Sequence, residues 1–221
     1  MSQPVSILGA TGDLGFGLAV RWCTAGVPMI IGSRAADRAE EAAERVRAAV
    51  PSADVRGLEN PEAAAASDVV VMSVPFAGAA ATYQSIAEAL RPGTLVIDAT
   101  VPLARAIGGK PTRMVGVWQG SAAEQAAELV PEGVDVVSAL HTVSAPALTD
   151  LSHELGEDVL VCGNRKDPKQ QAIELIGRIE GLRPIDVGRL DHSRITESLT
   201  ALLISVNIKH KTHAGIRLTG V

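Results

Sequence analysis

The stretch Val5-Ser6-Ile7-Leu8-Gly9-Ala10-Thr11-Gly12-Asp13-Leu14-Gly15 decides how this chain folds. A short apolar run ends on a glycine, turns, and opens a helix, which is the strand–turn–helix order of a dinucleotide site. Gly9 permits a tight turn, Gly12 lets backbone approach a pyrophosphate, and Gly15 allows close helix–strand packing. The helix that follows aims its unpaired N–H groups and positive dipole end at phosphates. Thr11, Asp13 and Leu14 share the turn and are carried as binding candidates. Asp13 is expected to point outward, because its charge would repel a pyrophosphate.

The next strand end tells which dinucleotide. An NAD site usually places an acidic residue there to hold the ribose hydroxyls. This chain offers Gly32-Ser33-Arg34, with Arg38 one helical turn further on. A hydroxyl and guanidinium groups suit a 2′-phosphate, to which Arg makes charge-assisted, often bidentate bonds. NADP(H) is therefore the expected cofactor. The competing reading is a solvated helix start that happens to be basic.

Working outward, short β-rich runs alternate with alanine-rich helical stretches. Strands are predicted at 5–9, 29–32, 54–57, 68–74 and 95–99, with helices at 13–25, 36–49 and 79–90. Further on, a helix at 122–129 precedes strands at 134–139 and 159–162. A helix at 168–180 follows, with Pro168 suited to its first position. A strand at 185–187 and a long helix at 193–209 complete the chain. This pattern implies an α/β protein: a Rossmann-type doubly wound parallel sheet with a small C-terminal α/β extension. Residues 1–139 are expected to form the NADP-binding domain and residues 140–221 a smaller C-terminal region. The 101–117 loop is rich in Pro and Gly and could be mobile, which the sequence alone does not decide.

Composition narrows the function further. Over 221 residues, 47% are hydrophobic, which is ample for a buried core. Aromatics are only 2%, so a flat ligand must be held mainly by aliphatic side chains and backbone. A net charge of −5 without a basic stripe argues against nucleic acid. No apolar stretch approaches a membrane span, and with 1–4 leading straight into the first apolar run no signal peptide is expected. Cys23 and Cys162 lack metal-ligand spacing and read as reduced core residues of a cytoplasmic protein. His210 and His213 could share a helix face, but no third ligand accompanies them, so no metal is expected.

Gly9-Ala10-Thr11-Gly12 also opens the extended short-chain reductases. Those enzymes need a Tyr with a Lys four residues on as acid/base. The single tyrosine, Tyr83, has Ala at 87, which closes that route.

Taken together, the motifs resemble the NADPH:coenzyme F420 oxidoreductases over nearly the whole chain. Besides Gly9–Gly15 and Gly32-Ser33-Arg34, they include Ser73-Val74-Pro75 and Gly120-Ser121-Ala122-Ala123-Glu124. They continue through Val136-Val137-Ser138-Ala139-Leu140-His141-Thr142, Val161-Cys162-Gly163 and Gly181-Leu182-Arg183-Pro184. The last is Ser193-Arg194-x-x-Glu197-Ser198-Leu199-Thr200. The resemblance implies reversible hydride transfer between C4 of the nicotinamide and C5 of the deazaflavin. It implies Ser73, Val74 and Pro75 beside the nicotinamide. Ala139, Leu140, His141, Thr142 and Val143 would border the deazaflavin, with Arg194, Ser198 and Thr200 close by. Direct hydride transfer needs stacked rings and excluded water more than side-chain chemistry. No catalytic residue is therefore assigned, and His141 is given at most a positioning role.

Read without the resemblance, Arg194 and Ser198 are four apart and adjacent on a helix, whereas Thr200 is rotated away. Arg194 could instead pair with Glu197 or Asp191. The basic cluster Lys209–His210–Lys211 departs from the small apolar tail of the family, and a lysine there would suit an acidic deazaflavin tail. The apolar final helix, 195–208, suits packing against a second copy, and the resemblance implies a homodimer, although a monomer could bury the same face internally. Two other readings stay open: an NADPH-dependent reductase of a flavin, metal chelate or small imine or carbonyl, and a non-catalytic NADP-binding redox sensor.

Overall fold

Each apolar run of the first half feeds a helix and returns parallel to its neighbour, so the strands stack into one sheet. The computed structural model describes residues 3–221. The strands are β1 (Val5–Leu8), β2 (Met29–Ser33), β3 (Val55–Glu59), β4 (Val69–Met72), β5 (Leu95–Asp98), β6 (Asp135–Ser138), β7 (Glu157–Gly163) and β8 (Leu182–Gly188). They lie in the order β3-β2-β1-β4-β5-β6-β7-β8, all pairs parallel except β6 with β7. Order reverses between β1 and β4, the crevice where doubly wound sheets bind ligands.

The helices are α1 (Asp13–Thr24), α2 (Ala36–Ala49), α3 (Asn60–Ala65), α4 (Phe76–Ile86), α5 (Ala122–Leu129), α6 (Ala145–Thr149), α7 (Lys166–Ile176) and α8 (Ser193–His210). Two apolar clusters sandwich the sheet. One joins Leu18 and Trp22 of α1, Ala43 of α2, Leu148 of α6 and Ile176 of α7. The other joins Ala63 of α3, Tyr83 and Ile86 of α4, and Ala126 of α5. The second half thus adds β7 and β8 to the same sheet as an α/β extension.

Several elements depart from the sequence expectation for identifiable reasons. Helix α3 was not expected, although Pro61 and Glu62 in its first turn are ordinary helix-start residues. Helix α4 begins at Phe76 rather than 79, because Pro75 takes the N-cap position and Gly78 is accommodated inside the helix. Helix α7 opens at Lys166, which puts Pro168 third; the first turn's N–H groups have no intrahelical partner to lose there. Strand β7 begins at Glu157 because Asp158, fully buried, is held by two 2.8 Å bonds from Arg183 of β8. Pro184 lies inside β8, the edge strand of the sheet, where proline is best tolerated.

Backbone bonds cross the 101–117 segment. Ala104 N–H bonds Arg113 O at 2.7 Å, Val115 N–H bonds Pro102 O at 2.7 Å, and Leu103 bridges Met114. Among the described residues, no helix is long and apolar enough to cross a membrane.

Candidate cofactor-binding site

Backbone bonding continues one step past the strand ends and sets the site's register. Gly9 N–H reaches Gly32 O at 3.4 Å, Ser73 N–H reaches Leu8 O at 2.9 Å, and Ala99 N–H reaches Met72 O at 2.9 Å. Ala139 N–H reaches Asp98 O at 3.0 Å. Gly9, Ser73, Ala99 and Ala139 therefore stand in one row at the carboxyl edge of the sheet.

A groove of about 520 Å³ opens at this edge, between the β1–α1 turn, the end of β2 and the flank of α4. The sequence-read residues Gly9, Thr11, Gly12, Ser33, Arg34, Val74 and Pro75 share its wall. Gly9 has φ 98°, and a Cβ there would lie 2.8 Å from the backbone of Ser73 and Val74. At Gly15 a Cβ would meet Ser73 Oγ at 2.5 Å and Ala10 Cα at 2.7 Å, so α1 sits directly on the strands. Gly12 differs: a Cβ would touch only Gly9 O, at 3.4 Å. The protein's own packing does not demand a glycine at 12, whereas close approach of an anion would. Gly12 caps α1 without a side chain, which leaves first-turn N–H groups for anionic oxygens. Arg34 and Arg38 are exposed, and among the described residues neither forms an ion pair. Shape, donors and free cationic charge all fit a phosphorylated dinucleotide.

Other candidates of this set lie beside the groove, at the turn itself. Ser73 Oγ donates to Leu8 O at 3.0 Å, and Leu14 packs on the core. Asp13 is exposed in the first turn of α1.

Further along the edge, Ala139, Leu140, His141, Thr142 and Val143 are all buried. Leu140 has φ 71°, a left-handed backbone that a branched side chain rarely adopts, so strain is held where the chain turns. His141 is 5% exposed and its Nδ1 has no hydrogen-bond partner. Burial pushes its pKa down to about 4, keeping the ring neutral at physiological pH. Its carbonyl accepts a 2.8 Å bond from Thr200 Oγ1 of α8.

Arg194 pairs with neither Glu197 nor Asp191. Its guanidinium donates to Glu124 at 2.8 and 2.6 Å and to Gln119 O at 3.2 Å, across the face left bare by Gly120. Ser198 Oγ donates back to Arg194 O at 2.8 Å, so these two share one side of α8 while Thr200 faces His141. Glu197 is buried instead, accepting the N–H groups of Ala122 and Ala123 at the start of α5 at 2.9 and 3.1 Å. Burial pushes its pKa up to about 8 in spite of those bonds.

Sequence reasoning missed part of the wall. Gly78, Ala81, Thr82 and Ser85 line the groove from α4, and their three-to-four spacing of small residues was the available signal. Asn60 also lines it, brought from the end of β3 by pairing that no local pattern announces. Tyr83 is fully buried, and its hydroxyl donates to Asp98 at 2.5 Å. Burial raises its pKa well above the usual phenol value, so it faces the core and not a substrate.

A family model described as NADP oxidoreductase, coenzyme F420-dependent, matches residues 4–102. The F420-dependent NADP reductase of Methanocaldococcus jannaschii is 43% identical over 98% of this chain and 98% of its own. That of Methanothermobacter thermautotrophicus is 42% identical over 100% of this chain and 97% of its own. Among solved structures, a candidate F420-dependent NADP reductase from Arthrobacter sp. FB24 superposes with a TM-score of 0.83. It is 24% identical over 99% of this chain and 100% of its own. A reductive aminase from Aspergillus terreus, in complex with NADPH, gives 0.62 at 14% identity, over 96% of this chain and 63% of its own.

Proposed function

The chain belongs to the NADP oxidoreductases dependent on coenzyme F420, and from that premise we propose how its residues divide the work. It is an oxidoreductase acting on NADP(H) and coenzyme F420. When both are bound, the nicotinamide gives or takes a hydride at C4 and the deazaflavin takes or gives it at C5, with a proton exchanged at the deazaflavin nitrogen.

Gly9, Thr11, Gly12 and the first-turn N–H groups of Asp13, Leu14 and Gly15 hold the pyrophosphate. Ser33, Arg34 and Arg38 hold the 2′-phosphate, and Ser73, Val74 and Pro75 border the nicotinamide. The observation that carries this reading is the open Gly12 face set against uncommitted cationic charge at Arg34, in one groove. Ala139, Leu140, His141, Thr142 and Val143 border the deazaflavin, with Arg194, Ser198 and Thr200 of α8 above them. A neutral His141 positions and excludes water without moving a proton. Residues 1–139 thus form the NADP-binding domain and residues 140–221 the deazaflavin region, with Ala139 at their junction bordering both.

A homodimer completes the reading. Ile195 and Leu202, seven apart on α8, are 66% and 58% exposed, and Trp118, beside the Gln119 carbonyl that Arg194 grips, is 98% exposed. A second copy of this chain covers that apolar patch. Leu202→Glu should then halve the mass measured by light scattering.

Deuterium tracing tests the chemistry. NADPH labelled at C4 should deliver its deuterium to C5 of the deazaflavin, where the carbon-bound label survives in water. Label appearing in solvent instead would end the direct-transfer reading.

A further inference from the structure

The β2–β3 register sets Gly32 opposite Leu58 and Ser33 opposite Glu59, so Asn60 arrives at the end of β2 from the neighbouring strand. Asn60 is 4% exposed, yet its Oδ1 has no hydrogen-bond partner among the described residues. The carboxamide occupies the space that residue 32 leaves. A Cβ on Gly32 would come within 2.9 Å of Asn60 Oδ1 and 2.2 Å of Leu8 Cδ2. Asn60 also shares the groove wall with Ser33 and Arg34. Nearly every buried polar atom finds a partner, so one left unpaired on the wall of a binding groove points to a ligand atom.

The chemistry of the position says which atom. Dinucleotide sites for NAD place a carboxylate at the end of this strand to accept from the ribose hydroxyls. Here that strand carries glycine, and a neutral amide reaches the same place from the next strand. An amide offers an acceptor and two donors, and unlike a carboxylate it does not repel a 2′-phosphate. Its terminal torsion is broad and roughly two-fold, so either end can turn to the groove.

We propose that Asn60 is a specificity-determining residue for the adenosine end of NADP(H): Oδ1 accepts from the ribose 3′-hydroxyl and Nδ2 donates to the 2′-phosphate. The proposal rests on the groove being the NADP(H) site. Because Oδ1 has no partner among the described residues, its hydrogen-bonding capacity is left for the ligand and not spent on the fold.

Titration calorimetry on the full chain with NADPH, NADH and 2′,5′-ADP, alongside the Tm of the free protein, tests this. Asn60→Ala should weaken 2′,5′-ADP by about three- to tenfold while leaving the free protein's Tm unchanged or raised. Asn60→Asp should weaken NADPH by about tenfold or more and spare NADH, since a carboxylate repels the phosphate and accepts from a diol. If Asn60→Asp fails to fold, Asn60→Ala decides alone. Dissociation constants within twofold of wild type, or equal losses for all three ligands with a lowered Tm, would overturn the proposal. Wild-type protein that binds NADPH without reducing F420 would sink the hydride-transfer reading and leave this one standing. Binding of no nucleotide at all would sink both.

Discussion

Thr200 Oγ1 donates a 2.8 Å hydrogen bond to the backbone carbonyl of His141, tying α8 to the turn where Leu140 is held at φ 71°. Removing the hydroxyl by Thr200→Val leaves a part-buried carbonyl unpaired and should cost about 1 kcal/mol of stability. We propose that the turn borders the deazaflavin, so the KM for F420 should rise while the Kd of NADPH stays put. Thr200→Ser should restore both. A change in NADPH binding would move the turn's role to the other cofactor.

Glycines 12 and 15 make a contrasting pair. Gly15→Ala drives a methyl into Ser73 Oγ and Ala10 Cα, and should destabilise the fold by about 1–3 kcal/mol in chemical denaturation. Gly12→Ala meets only Gly9 O at contact distance and should leave stability nearly unchanged while weakening NADPH and NADH alike. If Gly12→Ala bound both dinucleotides normally, the pyrophosphate would not lie over that turn.

Arg34 is exposed and free of ion pairs among the described residues, so its removal should be silent in the free protein. Arg34→Ala should weaken NADPH by about 2–3 kcal/mol and spare NADH, the usual strength of a charge-assisted bond to phosphate. Equal losses for both, measured by calorimetry, would assign Arg34 to the fold.

Stability should respond to pH through Glu197. Its carboxyl keeps its proton up to about 8 in the folded protein, whereas an ordinary glutamate loses it near 4.5. Between those values the folded state holds more protons, so stability falls as pH rises. Glu157, raised to about 7 by burial, slopes the same way below 7. His141, lowered to about 4 from 6.5, slopes the opposite way as pH falls through that window. Above about 7 the contribution of Glu157 fades and that of Glu197 dominates. Glu197→Gln should flatten the Tm-versus-pH curve there; curves that stay parallel would mean that Glu197 ionises at an ordinary pH.

The β1–α1 turn and the Gly32-Ser33-Arg34 end of β2 were legible in the sequence because both requirements are local. A glycine at a forced φ and a cation at a strand end are visible one residue at a time. Asn60 was not legible, since what matters is its approach to Gly32, 28 positions away, through strand pairing. The Arg194–Glu124 pair was hidden for the same reason: the partners are 70 positions apart, and nearer acids were the natural guess. Strands β7 and β8 were read too short because Asp158 and Arg183 neutralise each other only once the strands lie side by side. In the 101–117 segment the bonds that cross the loop join residues about ten positions apart and leave no local pattern in the sequence.

The most direct test of the central claim is anaerobic mixing of the pure protein with NADPH and oxidised F420, following the visible absorbance of the deazaflavin. Rapid bleaching, far slower with NADH and reversed by reduced F420 with NADP, is the expected result. His141→Ala should still bleach F420, losing about 1–3 kcal/mol of transition-state positioning. Tight NADPH binding with no bleaching would contradict hydride transfer to F420 and leave only the dinucleotide site.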